Sequence, residues 1–141
     1  MSLPLFLHLF SLGTWFGCVL VEGLLEFQSH KQPENLAFVA RVHYLIDRVV
    51  EIPSFLLALL SGLWMLKTQN LQGLFLLKII CGLVAIGVNI YCVIPVRKRF
   101  TLISKNQNSL LINESKKIYW CFVGVPFGLA ALILGILFLP R

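Results

Sequence analysis

Apolar residues fill four long stretches of the chain, and polar residues gather between them. The apolar runs cover about 3–27, 42–66, 74–96 and 118–139. Each passes the ~18 residues at which such a run reads as a membrane span. In lipid only helices and closed barrels satisfy every backbone group, and runs this long and uniform do not suit barrel strands. The pattern predicts an all-α integral membrane four-helix bundle, a single domain over 1–141 with little mass outside the bilayer.

Polar positions inside the runs recur at helical spacing. His8, Ser11, Trp15, Cys18, Glu22 and Glu26 share a face of the first span. His43, Asp47, Glu51, Ser54, Ala58 and Ser61 share one on the second, and Lys78, Gly82, Ala85, Asn89 and Cys92 one on the third. Ionisable groups in a span avoid lipid and seek partners, so each stripe should turn inward. Depth splits the stripes into two layers. His8 and Lys78 each lie about five residues in, roughly 7–8 Å below the outer end at 1.5 Å per residue. Glu22, Glu26, His43, Asp47, Arg48, Glu51 and Asn89 form the inner layer, which is rich in carboxylates.

The connections differ in character. Segment 28–41 contains Pro33 and ends in a short amphipathic stretch. "KTQNLQG" is a tight turn, and "RKRFTLISKNQNSLLINESKK" is polar and basic, extending the third helix into the cytoplasm. Small-residue pairs at Gly13/Gly17 and Gly124/Gly128 permit close helix approach. The apolar body of the fourth span carries no ionisable group and is expected to be a packing helix.

Composition agrees with the pattern: 58% of the 141 residues are hydrophobic and 13% charged, too apolar for a soluble domain. A net charge of +6 suggests nucleic acid until its distribution is examined. Eight of the twelve Lys and Arg fall in the first and third connections: Lys31, Arg41, Arg97, Lys98, Arg99, Lys105, Lys116 and Lys117. The positive-inside rule puts both connections in the cytoplasm and both termini outside. The bilayer is then the expected partner, with anionic headgroups near the basic side. The first span has no basic n-region and no small-x-small cleavage site, so it is expected to remain in the mature protein. Cys18, Cys81, Cys92 and Cys121 all lie in spans without a CxxC pair and are expected to be packing residues.

Each chemical candidate has a plain alternative. His8 is either a haem axial ligand or a hydrogen-bonded histidine near the interface. No second deep histidine shares its level, so a bis-histidine cytochrome is not expected. Lys78 either snorkels to the outer interface or turns inward to bind an anion, donate a proton or act as a ligand. His43, Asp47 and Glu51, beside Glu22 and Glu26, offer nitrogen and oxygen donors for a divalent ion. The favoured alternative is an ion-pair network in which Arg48 bonds Glu22 or Glu51. Pro53 frees a carbonyl near Val49 and makes a hinge or a shape device of the second helix. No phosphate loop, Ser/His/Asp order or HExxH is present.

Several of these residues carry a resemblance. "HLFSLGTWFG", Lys78, "YC" at Tyr91–Cys92 followed by "VRKR", and "IDRVVEIPSFLLALLSGLWML" resemble the HemJ-type protoporphyrinogen oxidases and the CopD-like copper-resistance membrane proteins. The resemblance covers most of the first three spans. It implies a bacterial inner-membrane location, bound haem b, oxidation of a porphyrinogen and electron transfer to a quinone. It further implies His8 as haem-iron ligand, Lys78 as its catalytic or cofactor-binding partner and Trp15 beside the cofactor. "KKIYWCFVGVP" departs from the HemJ fourth helix, and the acidic cluster of Glu22, Asp47 and Glu51 looks more like the CopD-like relatives. The leading expectation is a haem-b-binding oxidoreductase. A CopD-like metal-binding or transport protein and a non-catalytic membrane subunit are its rivals, and a homo-oligomer stays open.

Overall fold

The computed structural model describes residues 2–66, 72–105 and 108–137. Within them the fold is all-α, with four helices long and apolar enough to cross a membrane: Leu3–Lys31, Pro33–Leu66, Gly73–Ser104 and Leu110–Leu137. The protein is a multi-pass membrane protein. It divides into two compact units, Met1–Gln69 and Asn70–Arg141. Residues 67–71 of the tight turn, and positions 138 and 139 of the last span, lie outside the described residues.

Each helix outruns its apolar core. The first continues through Ser29 and His30 to Lys31, and the second begins only two residues later at Pro33. Segment 28–41 is therefore mostly helix. Proline suits a helix start, where its missing N–H costs nothing. The third helix spans 32 residues, about 48 Å at 1.5 Å per residue, against a hydrocarbon core of ~30 Å. Its surplus turns extend past Arg97 to Ser104, as expected of the basic segment, and a fresh helical run starts at Asn108. Gly73 opens this helix at φ 55°, the left-handed region that glycine adopts without a Cβ clash.

In the first unit the two helices run antiparallel. Trp15 meets Phe55 with ring centroids 6.1 Å apart, His8 meets Ala58 and Ser61, and Glu26 meets His43. The second helix is not one α-helix throughout. Asp47–Glu51 is a π-helical turn, with the Ile52 N–H bonded to the Asp47 carbonyl. Pro53 follows directly and cannot donate, which favours a rearranged bond ladder at this level.

In the second unit small residues set the contact. Gly82 faces Ala131, and Gly124 sits against Val88 and the Ala85 carbonyl. Gly128 is also buried, so the expected Gly124/Gly128 face is used. Gly13 and Gly17 are not: a Cβ on either would meet nothing within 4 Å. None of the four cysteines forms a disulfide among the described residues. Below the apolar span, Val96, Arg99 and Ile103 are buried on the third helix, and Leu111, Ser115 and Ile118 on the run after it. Arg99 is fully buried and donates from Nη1 to Ser115 Oγ at 3.3 Å.

Candidate metal centre

Five ionisable side chains of the first unit are buried together. Glu22 and Glu26 stand one turn apart on the first helix, and His43, Asp47 and Glu51 follow one another at four-residue steps on the second. His43 is the hub. Its Nδ1 lies 2.7 Å from Glu26 Oε1, and its Nε2 lies 3.6 Å from Glu22 Oε2 and 3.7 Å from Asp47 Oδ1. A carboxylate oxygen only accepts, so Nδ1 carries the proton toward Glu26; Nε2, beyond hydrogen-bond distance of Glu22 and Asp47, is the nitrogen that can coordinate an ion set between them. A carboxylate on the far nitrogen is the arrangement that orients metal-binding imidazoles.

One donor atom each from Glu22, His43 and Asp47 lies within 4.8 Å of the other two. Small side-chain shifts bring three donors that close onto one ion with bonds of ~2.0–2.2 Å. Glu22 Oε1 is buried and has no hydrogen-bond partner among the described residues. Glu51 is held from the other side, accepting a 3.1 Å hydrogen bond from Trp15 Nε1. Trp15, expected beside a haem, thus points its polar edge at the carboxylate layer.

Arg48 does not join this cluster, contrary to the expected ion-pair network. Its side chain is exposed, and its guanidinium donates to Tyr44 Oη at 3.2 Å. The cause is angular: Arg48 is rotated by about 100° from Asp47, and Tyr44 is its neighbour one turn back. Asn89 is half-buried on the third helix, in the other unit.

His8 and Lys78 belong to different units, each with its own surroundings. His8 Nδ1 lies 2.8 Å from the Ala58 carbonyl and 3.2 Å from Ser61 Oγ. The carbonyl can only accept, so Nδ1 holds the proton and Nε2 is the nitrogen able to coordinate. Gly62 clears the space beside the ring, since a Cβ there would sit 3.2 Å from His8 Cε1. Lys78 is half-buried; its stem passes close to Gly135, and its ammonium lies 5.3 Å from the Phe75 ring centroid. That is within reach of a cation–π contact.

No family model, curated protein or solved structure matches the chain. The chemistry of the site therefore rests on its donor atoms. Pattern reading missed three of the partners. Tyr44 follows from the i, i+4 rule once Arg48 is placed outside the stripe. Gly62 is signalled only as a small residue in "LLSGLW". Buried Arg99 is signalled by its three- and four-residue spacing from Val96 and Ile103.

Proposed function

We propose that this membrane protein binds a divalent metal ion between its first two helices, through Glu22, His43 and Asp47. The observation that carries the proposal is the set of three buried donor atoms within 4.8 Å of one another. Glu26 on His43 Nδ1 adds the outer support that such a ligand needs. The CopD-like resemblance points to metal handling as well. The Lys and Arg bias favours an inner-membrane protein with both termini periplasmic and the basic connections cytoplasmic.

Metal analysis of the purified chain tests this. Wild type, equilibrated with a mixture of first-row divalent ions and washed, should retain about one ion per chain. Glu22→Gln and Asp47→Asn each remove a charged ligand at nearly constant shape and should retain at least tenfold less, since even outer-sphere changes cost ~10–100-fold. Equal metal content in all three proteins would refute the proposal.

One observation favours a second use of the chain. The Ala58 carbonyl on His8 Nδ1 is the support that a haem-ligating imidazole uses. On this alternative His8 holds haem b, and a porphyrinogen passes its electrons to a quinone. Protein produced with ample haem should then show a Soret band that His8→Ala loses. A wild-type spectrum without that band rules the alternative out.

A further inference from the structure

We infer that the ion taken by the Glu22–His43–Asp47 site is a hard to borderline divalent cation of the manganese, iron(II) or zinc kind, and not copper(I). The inference rests on the metal-binding proposal above and concerns only which ion is bound. The grouped donors are two carboxylates and one imidazole, with no sulfur among them. Oxygen-rich sets with a single imidazole suit manganese, iron(II) and zinc, whereas copper(I) selects thiolate and thioether ligands.

Among the described sulfur atoms that of Cys18 is the near one: it stands one turn before Glu22, close enough to feel the Glu22, Asp47 and Glu51 carboxyls, and is outside the grouped donors. Cys81, Cys92 and Cys121 belong to the other unit. Met65 follows Glu51 by fourteen positions, about 21 Å along a helix.

A second observation points the same way. Glu22 is only 6% exposed, and its Oε1 has no hydrogen-bond partner among the described residues while Oε2 faces His43. A buried carboxylate oxygen without a donor is costly, and a hard cation meets that need where a soft one does not. The carboxyl groups of Glu22, Glu26, Asp47 and Glu51 crowd one buried site, and a divalent cation offsets more of their charge than a monovalent one.

The test is anaerobic equilibrium dialysis of the full chain in lipid nanodiscs against Mn²⁺, Zn²⁺ or Cu⁺ kept reduced, followed by elemental analysis. Mn²⁺ and Zn²⁺ should each reach about one per chain, with broadening of the six-line Mn²⁺ resonance as an independent sign. Glu22→Gln and Asp47→Asn should lower both by at least ~10-fold, and Cys18→Ser should leave both unchanged. Stoichiometric Cu⁺ lost in Cys18→Ser, with neither Mn²⁺ nor Zn²⁺ retained, would overturn the choice of ion and leave metal binding standing. Retention of none of the three would overturn both. If a carboxylate variant fails to fold, the three-ion series on the unmodified chain still decides, because the preference is read from wild type alone.

Discussion

Inserting one alanine between Val49 and Val50 should abolish metal retention, while deleting Val49 should leave it nearly intact. The reason lies in the spacing of the buried positions. Val39, His43, Asp47 and Glu51 recur at steps of four. In an α-helix each such step overshoots a full turn by about 40°, so three steps drift by about 120°. Such a helix would carry Glu51 well around from Val39. The π-helical turn over Asp47–Glu51 absorbs an extra residue and removes about 100° of that drift. Val49 and Val50 lie on the outside of the turn, 61% and 36% exposed, so they contribute little to packing. Deleting Val49 lets the helix close as a plain α-helix with its flanks in nearly the same phase. An inserted alanine turns His43 and Asp47 together by about 100° relative to Phe55 and Ala58, which hold the helix against Trp15 and His8, and so away from Glu22 on the first helix. Elemental analysis of both variants, with circular dichroism to confirm helical content, checks the pair. Metal loss in the deletion and retention in the insertion would reverse the expectation.

The same turn shows how much of the site was legible. His43, Asp47 and Glu51 were grouped from the sequence because four-residue steps approximate helical spacing. The grouping was sound, but 3.6-residue periodicity alone does not keep them aligned over eight residues. The alignment needs the π turn, for which Pro53 in "EIPS" was the local signal. That signal was legible as a freed carbonyl, and its consequence was not, because a proline can equally kink a helix.

Hydropathy marked the four spans, because a run of apolar residues has few alternatives in lipid. It missed where the helices end. Polar segments such as 28–31 and 97–104 keep helical propensity after leaving the hydrocarbon, and hydropathy does not register propensity. Charge pairing was misjudged at both arginines. A cation within a span needs a partner, which places Arg48 with the carboxylates by sequence, yet its long side chain reaches Tyr44 on the outer face. Arg99 falls by sequence in the basic third connection, yet it continues a buried stripe with Val96 and Ile103. In each case sequence position indicated depth along the helix, and rotation about the helix decided the environment.

His43→Ala should be the most damaging single substitution in the first unit. The imidazole is 3% exposed and touches three carboxylates, those of Glu22, Glu26 and Asp47. Its removal takes away a metal donor and also the group that separates the carboxylates. Removing a buried hydrogen-bond donor typically costs about 1–3 kcal/mol, and more where the acceptor left behind is charged. Glu22→Gln should cost less stability, since the amide keeps the shape and can donate to a neighbouring oxygen. His43→Gln separates the two effects. It can still donate to Glu26 and recover part of the stability, but it replaces the imidazole lone pair with a weaker amide donor and should not recover metal. Unfolding of the detergent-solubilised chain by graded SDS, followed by circular dichroism, measures stability; elemental analysis measures binding. An alanine variant as stable and as metal-loaded as wild type would show that His43 is neither the hub of the cluster nor a ligand. A glutamine variant that regains stability without metal would assign the two roles to opposite nitrogens of the same ring, Nδ1 for structure and Nε2 for the ion.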